Sequence, residues 1–369
     1  MHLSLVATIF LGLNLLSNLL CGGSQPGRDT PRFQRPALAE VIVEAVHFQH
    51  GSDLLAGSLY RPDRPGRHPA IALVLGSGNQ DRGYGGMGPA LGRHFAQHGV
   101  LCLTWDKPGV GQSTGDFNTQ TFPDRAEEAL AAVRFLRERS DARADQVGLW
   151  GHSQGGMVVP LAAALSQDIA FVIEVSGWQG AAWQQDAARV EAELRNAGKP
   201  VADIRKATAF ARLRMNLIRG TGSYETLEQA QEKVKTRAWF PVVHWCDRTL
   251  FYAARRMVNY DSEPSWGKVH CPVLAIYGDR DMSSGPPKPL VTLIRGGLKK
   301  ANNRDVTIRI FPDADHSLCW AETKRAKESG LRVNEEKDSD APDFVNGYLD
   351  LMSDWLAKRF LAGAADKKR

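Results

Sequence analysis

The chain is poor in cysteine and lacks the spacings in which cysteine binds metal or carries redox chemistry. Its 369 residues include five cysteines, and no two of them form a CxxC pair. This excludes a zinc ribbon and a thioredoxin motif. Cys102 lies inside an apolar run and is expected to be a small core residue. The pairing of the remaining cysteines stays open: Cys21, Cys246, Cys271 and Cys319.

The common motifs of metal and nucleotide chemistry are also missing. His94 and His98 are four residues apart, but no Glu follows His94 as a zinc-protease helix requires. The glycine-rich residues 76–88 lack the Gly-Lys-Ser/Thr of a phosphate loop, and the glycines at 109 and 111 are too few for a dinucleotide fingerprint. We therefore predict no metal and no organic cofactor.

The excess of positive charge is small and unevenly placed. Lys and Arg number 46 against 41 Asp and Glu, a net charge of +5, and residues 357–369 hold five of the basic residues with one Asp. A nucleic-acid partner requires a basic stripe on the folded surface, so none is predicted. Hydrophobic residues make up 43% and charged residues 24% of the chain, as in an ordinary globular protein.

The first 27 residues contain no Lys, Arg, Asp or Glu. The apolar run at residues 3–20 is typical of a signal peptide, which predicts cleavage after Gly23 and export to the periplasm or medium. Residues 24–36 are a proline-rich linker. Two alternatives stay open: a lipoprotein acylated at Cys21, or an uncleaved anchor, since ~20 apolar residues can span a bilayer. Membrane contact is expected only through this N-terminus.

Short apolar runs alternate with helical stretches along most of the chain. We predict strands at residues 41–48, 54–60, 70–75, 100–105, 146–150, 169–175, 273–277 and 307–311, and helices near 87–98, 123–139, 156–165 and 344–360. This alternation predicts an α/β fold with a mostly parallel central sheet and helices on both faces, and the first two strands form an antiparallel hairpin at its edge.

One long segment breaks the alternation. Residues 179–261 have helical patterns and no strand-like run. We predict that they form a helical cap inserted into a core made of residues 37–178 and 262–369. Aromatic residues of the cap such as Trp183 and Trp245 are more often packed between helices than in contact with ligand. Some of them are expected to face the cleft and to give the cap an apolar surface for substrate. A charged insertion at residues 320–342 is expected to be a loop.

The hexapeptide Gly-His-Ser-Gln-Gly-Gly at residues 151–156 follows a predicted strand and opens a predicted helix. Gly-x-Ser-x-Gly in this context is a nucleophile elbow, a turn so tight that side chains at the outer positions would clash. Ser153 is the candidate nucleophile. The N–H of Gln154, at the start of the helix, is a candidate donor to an oxyanion.

A serine hydroxyl needs a base, and the base needs a carboxylate to orient it. His316 follows the last predicted strand, and Asp279 and Asp281 follow the strand before it. The order Ser, Asp, His is that of the α/β-hydrolases. Glu174 is a third candidate acid, although it lies within a strand.

Two other polar residues in these loops are expected to be structural. Asp106 is expected to bond groups of its own loop. His152, inside the elbow, is expected to pack against neighbouring residues and not to act as a base.

The chain resembles the α/β-hydrolase superfamily, serine-esterase branch, over residues 40–178 and 262–360. Besides the elbow, residues 75–82 (Leu-Gly-Ser-Gly-Asn-Gln-Asp-Arg) are similar to the oxyanion loop of bacterial acyl esterases. Residues 106–113 and 271–281 also resemble the family's loops. The resemblance implies Asp281, the last residue of Gly-x-x-Asp, as the acid. It implies Gly78, or its neighbour Ser77, as the second donor to the oxyanion.

These residues predict a serine hydrolase that cleaves a small-molecule carboxylic ester through an acyl-enzyme. The same residues could cleave an amide, a peptide or a thioester, because they determine the reaction type and not the leaving group. A binding module without activity is a further alternative, since a fold alone does not fix function. The cap has no counterpart in the resemblance, so substrate specificity stays open.

Overall fold

The structure is a computed structural model that describes residues 38–321 and 342–361. The predicted signal peptide and linker, and nearly all of the charged insertion at 320–342, lie outside these residues. Within the described part of the chain, no helix is both long and apolar enough to cross a membrane.

The first half of the chain alternates strands and helices, as predicted. Gly51, at a positive φ of 57°, forms the hairpin turn between the first two strands. The elements run in the order β1 (Val41–His50), β2 (Asp53–Pro62), β3 (His68–Val74), α1 (Met87–Gln97), β4 (Leu101–Trp105), α2 (Phe122–Glu138), β5 (Ala142–His152), α3 (Gln154–Leu165) and β6 (Val172–Val175).

A set of helices follows β6. They are α4 (Ala182–Asn196), α5 (Val201–Arg219), α6 (Tyr224–Glu232), α7 (Phe240–Val243), α8 (Arg248–Met257) and α9 (Glu263–Trp266). A bridge between Ala181 and Asp261 joins the two ends of this segment, and the N–H of Ala182 donates to the carbonyl of Tyr260 at 2.8 Å. We call residues 179–261 the inserted helical segment.

The chain then completes the sheet with β7 (Val273–Gly278), α10 (Pro287–Lys300), β8 (Val306–Phe311) and α11 (Tyr348–Leu356). Helix α10 was not predicted from the sequence, because Pro287 and Pro289 lie in its first turn and two glycines interrupt its second half. Its apolar residues are nevertheless spaced for one buried face, with Leu290, Ile294 and Leu298 almost fully buried. Gly297 is required because a Cβ there would collide with Trp266.

The eight strands form one sheet in the order β1-β2-β4-β3-β5-β6-β7-β8. β1 and β2 pair antiparallel, β2 pairs antiparallel with β4, and the pairs from β4 to β8 are parallel. The mostly parallel sheet with an antiparallel edge is thus confirmed. Two apolar clusters cover its faces, one around α2, α3 and α10 and the other around α1 and α11. Because the carboxyl ends of β5, β7 and β8 meet at one edge, their following loops come together there.

Candidate active site

Ser153 lies in a sharp turn between β5 and α3. Its φ of 57° and ψ of −120° are unusual for a residue with a side chain, which generally avoids positive φ. The N–H of Ser153 donates to the carbonyl of Val175 at 3.0 Å, and its carbonyl accepts from Gly156 at 2.9 Å. The turn therefore holds the serine backbone in one strained conformation.

Glycine is required on both sides of the serine. A Cβ at Gly151 would collide with the carbonyl of Gly155, and a Cβ at Gly155 would collide with the carbonyl of Val74. The steric reason for the Gly-x-Ser-x-Gly pattern is thus present in the structure.

His316 and Asp281 form a hydrogen-bonded pair at the same edge of the sheet. Nδ1 of His316 lies 2.9 Å from Oδ2 of Asp281, and the Asp281 side chain is completely buried. Its other oxygen accepts from the N–H groups of Ser283 and Ser284 at 2.8 and 2.9 Å. Both carboxylate oxygens are bonded, so the group can hold the imidazole in one orientation through Nδ1 and leaves Nε2 out of this bond.

The other candidate acids have different surroundings. Asp279 is exposed over 43% of its side chain, and one of its oxygens accepts from the N–H of Asp313 at 2.7 Å. Glu174 is fully buried within β6 and accepts from the N–H of Gly177 at 2.5 Å. Burial holds the pKa of Glu174 well above its usual range, which favours the neutral acid. Of the three, only Asp281 makes a hydrogen bond to His316 among the described residues.

His152 connects the elbow to the His316 loop. Its Nε2 lies 2.9 Å from the carbonyl oxygen of His316 and its Nδ1 lies 2.6 Å from the Tyr84 hydroxyl. Since a carbonyl only accepts, Nε2 carries the proton and Nδ1 accepts from Tyr84. Burial and the neighbouring His316 lower the pKa of His152 to about 3. His152 is therefore neutral and both its nitrogens are occupied, in agreement with the structural role expected for it.

The loop after β3 passes beside the nucleophile. A Cβ placed on Gly76 would lie 3.2 Å from the Cβ of Ser153. The N–H of Gly76 donates to the Tyr84 hydroxyl at 3.0 Å, whereas the N–H groups of Ser77 and Gly78 have no hydrogen-bond partner in the part of the chain that the structure describes. The N–H of Gln154 is the first of α3 and has no acceptor within the helix. Three N–H groups are thus left to bind an oxyanion.

Two buried basic residues that contact this loop were not predicted from the sequence. Lys107 donates to the carbonyls of Gly76 and Gly78, and Arg125 donates to the carbonyl of Leu75. Arg125 could have been noticed as a charged residue on the apolar face of α2, next to Ala126. Lys107 gives no comparable signal, because it lies in a loop.

Two cavities meet at Ser153. The wider one has polar walls, and His316 lines it together with Gln80, Tyr84, Gln185, Arg189 and Asp315. The other encloses about 280 Å³ and has mostly apolar walls. From the inserted helical segment it receives Met215, Leu250, Ala253, Ala254, Met257 and Val258, and from the core Phe117, Phe122 and Met157.

The aromatic residues expected to line the cleft lie elsewhere. The Trp183 ring packs within the inserted helical segment under the guanidinium of Arg219, 4.5 Å away. Trp245 is 39% exposed, and neither tryptophan lines one of the two cavities. The expectation was wrong because these rings stabilise helix packing, while small and flexible side chains of α5 and α8 form the wall.

The remaining predictions concern Asp106 and metal. Asp106 accepts from the N–H groups of Arg82 and Gln112 at 2.8 and 3.0 Å, which confirms its structural role. His94 and His98 have ring centroids 4.2 Å apart, but no cluster of three metal-binding side chains occurs among residues 38–321 and 342–361.

Known structures share this architecture at low sequence identity. The α/β hydrolase GrgF from Penicillium superposes with a TM-score of 0.53 and 18% identity, over 87% of this chain and 99% of that one. An esterase of Pyrococcus furiosus gives a TM-score of 0.50 and 16% identity, over 75% and 84%. These similarities confirm the α/β-hydrolase fold.

Curated relatives match shorter stretches. The polyketide transferase GrgF of Penicillium is 34% identical over 89 residues, and the match spans 24% of this chain but only 30% of that relative's length. The acyltransferase DrtE of Aspergillus calidoustus is 29% identical over 144 residues, which are 38% of this chain and 45% of that one.

A family profile covers more of the chain than either relative. The profile of the X-Pro dipeptidyl-peptidase (S15) family matches residues 50–285. The match includes the loop after β3, Ser153, the inserted helical segment and Asp281, and ends before His316. With well over half of its length matched, and with the α/β-hydrolase fold in place, the chain belongs to the X-Pro dipeptidyl-peptidase (S15) family of hydrolases.

Proposed function

We propose that the chain is a serine hydrolase that cleaves carboxylic esters, with Ser153 as nucleophile, His316 as base and Asp281 as the acid that orients the base. The proposal rests on one observation: Ser153 and His316 line the same cavity. Ser153 is strained at a positive φ, and His316 is bonded to the buried Asp281. Each element supplies what acyl transfer by serine requires.

In the proposed reaction, Nε2 of His316 takes the proton of Ser153 as its Oγ bonds to the acyl carbonyl carbon. The oxyanion that forms accepts from the N–H of Gln154 and from that of Ser77 or Gly78. When the tetrahedral intermediate collapses, the bond to the alcohol oxygen breaks and His316 returns the proton to it. Water then attacks the acyl-enzyme with His316 again as base, which releases the acid and restores Ser153.

The two cavities suggest how the ester lies. His316 must protonate the leaving alcohol and lines only the polar cavity, whereas Gln154 and Gly78 line only the apolar one. The leaving group therefore belongs in the polar cavity and the acyl group in the apolar one. Three methionines in that wall, Met157, Met215 and Met257, would adapt to acyl groups of different shape.

Acyl transfer to an alcohol is the second candidate function. Three curated relatives carry transferase names, and the proposed acyl-enzyme is the same in both reactions. Only the group that enters the polar cavity differs, water in one case and an acceptor hydroxyl in the other.

The first test is labelling with a fluorophosphonate followed by peptide mapping. Modification of Ser153 is expected, and absence of any labelled serine would favour a binding module. Assays with p-nitrophenyl esters, X-Pro arylamides and acyl thioesters then determine whether the enzyme cleaves esters, amides or thioesters. Each substrate is assayed with and without an added alcohol, and an ester of that alcohol among the products would assign transferase activity.

We also propose that the protein is exported, because residues 1–27 are uncharged and residues 3–20 are apolar. Mass spectrometry of the protein from its native host is expected to find a chain that starts near Ser24. A chain that starts at Met1 would contradict cleavage, and a lipid on Cys21 would favour the lipoprotein alternative.

A further inference from the structure

Two buried basic side chains contact the loop that passes beside Ser153. Lys107 and Arg125 are each only 3% exposed. The Lys107 amine donates to the carbonyl of Gly76 and, at 3.0 Å, to that of Gly78. Nη2 of Arg125 donates to the carbonyl of Leu75 at 2.6 Å. Three of the four carbonyls from Leu75 to Gly78 are thus bonded to buried basic side chains.

Bonding a carbonyl also fixes the next N–H group. In a planar trans peptide the C=O and the following N–H point in opposite directions. The bond from Lys107 to the Gly76 carbonyl therefore turns the N–H of Ser77 away from the lysine. Glycine rotates easily about its backbone bonds, and Gly78 has a positive φ of 79°. The glycines of the loop would therefore not by themselves keep its peptide groups in one orientation.

Arg125 also contacts the other side of the site. Its Nη1 donates to Oε1 of Gln154 at 2.5 Å, and the backbone N–H of Gln154 is the donor contributed by α3. One guanidinium therefore links the loop after β3 to the first residue of the helix behind the nucleophile. The distance between the donors from the two elements is constrained by a single rigid, planar group.

The lysine does not need its charge for this role. Burial and the neighbouring Arg125 lower the pKa of Lys107 to about 6, while Glu128 acts in the opposite direction. The neutral amine still carries two N–H groups, one for each carbonyl.

We propose that Lys107 and Arg125 are positioning residues that hold the loop at residues 75–78 with its carbonyls turned inward and its N–H groups free for the oxyanion. The proposal rests on the proposed function, because an oxyanion forms only if Ser153 attacks an acyl carbon. Both side chains also line the cavity of about 280 Å³ beside Ser153. Their hydrogen bonds, however, go to the loop carbonyls and to the Gln154 side chain, so we assign them an action through the backbone of the loop and through Gln154.

The test compares Lys107→Met with the native chain. Methionine fills similar space but donates no hydrogen bond, so the Gly76–Ser77 peptide is freed. Because misplacement by ~1 Å can cost ~100-fold, we expect kcat for a p-nitrophenyl ester to fall by roughly 10- to 100-fold while KM changes by less than about threefold. The inhibition constant of an alkyl boronic acid, whose serine adduct carries a negative oxygen, should rise by a similar factor.

Asn303→Leu is the matched control. Asn303 donates to the carbonyls of Val269 and Cys271 at 3.0 and 2.8 Å, but these lie before β7, at the opposite edge of the sheet from Ser153. Loss of its bonds should lower the midpoint of thermal unfolding without changing kcat or boronic acid inhibition. A purely structural role for Lys107 would give the same pattern.

Arg125→Lys provides a second variant, since it retains the charge but not the two-sided contact. If Lys107→Met does not fold, Arg125→Lys replaces it in the test, and we expect the kcat of Arg125→Lys to fall by a similar factor. Unchanged kcat and unchanged boronic acid inhibition in a folded variant would overturn the positioning role. If the native chain neither hydrolyses esters nor is labelled at Ser153, the proposed function itself is wrong. That result is distinct from a native enzyme that is active and a variant that is equally active, which contradicts only the positioning role.

Discussion

The loops that carry Asp281 and His316 and the inserted helical segment stabilise their backbones by opposite means. In the loops, short carboxylates accept from backbone N–H groups. Asp281 bonds the N–H groups of Ser283 and Ser284, and Asp315 bonds those of Ser317 and Cys319, at 2.8–2.9 Å. These partners are two to four positions away, so each contact belongs to a local sequence pattern.

In the inserted helical segment, arginines donate to backbone carbonyls far along the chain. Arg214 donates to the carbonyls of Val243 and His244 at 2.6 and 3.0 Å, and Arg255 donates to that of Ile218 at 2.9 Å. The partners are 29 to 37 positions apart. Local patterns therefore reveal the loops of Asp281 and His316, while the packing of the inserted helical segment depends on contacts that only the fold brings together.

We expect the largest loss of activity from replacement of Ser153, the proposed nucleophile. Ser153→Ala should lower kcat for esters by roughly 10⁴-fold or more, because the members of a triad act as a unit. Removal of one oxygen should leave the fold intact, as circular dichroism can check. Retained activity, or labelling of a different serine, would contradict the assignment.

The next prediction distinguishes Asp281 from Asp279 as the acid that orients His316. Asp281→Asn should lower kcat by ~10⁴-fold, because the amide favours the wrong imidazole tautomer and provides no charge for the imidazolium. Asp279→Asn is the matched control and should cost far less, since the exposed Asp279 side chain bonds the N–H of Asp313 and not His316. The reverse ranking in steady-state kinetics would move the acid to Asp279.

Features that depend on local sequence could be predicted, whereas features that depend on distant contacts could not. The order of strands and helices, the elbow at Ser153 and the loops of Asp281 and His316 could be predicted, because apolar periodicity and tight turns are local properties. Helix α10 was missed because Gly297, which must be small to pack on Trp266, weakens its helical pattern.

The rest of the site depends on distant contacts. The bonds of Lys107 and Arg125 to the loop at residues 75–78 join positions up to 50 apart, so no motif contains them. The wall of the apolar cavity was misassigned to Trp183 and Trp245 for the same reason. Which face of a cap helix meets the nucleophile depends on how α5 and α8 pack, and composition alone does not give that orientation.

A smaller effect tests whether the inserted helical segment selects the acyl group. Ala254→Leu places a larger side chain in the cavity of about 280 Å³. Since one methylene in an apolar pocket is worth ~1–3 kcal/mol, octanoyl esters should lose about tenfold in kcat/KM relative to acetyl esters. Ala202→Leu, at an exposed position of α5, is the control and should leave the ratio unchanged. An unaltered chain-length profile in Ala254→Leu would reduce the segment to a structural lid.

The last prediction concerns the stability of the elbow and not its activity. His152 is buried with a pKa lowered to about 3, whereas a histidine in an unfolded chain titrates near about 6.5. Between these values the unfolded chain binds a proton that the folded chain does not. The free energy of unfolding should therefore fall as the pH falls below about 6.5, by up to ~1.4 kcal/mol per pH unit from this residue.

Replacement of His152 by Gln removes the titrating group and keeps a polar side chain beside Tyr84. Urea unfolding between about pH 4 and 7 should then show a shallower loss of stability than in the native chain. His270→Gln, at an exposed histidine, controls for loss of an imidazole as such. If His152→Gln keeps the native slope, the elbow admits water or a proton to His152. The catalytic edge would then be less tightly packed than its crowded glycines indicate, and the contrast with the inserted helical segment would weaken.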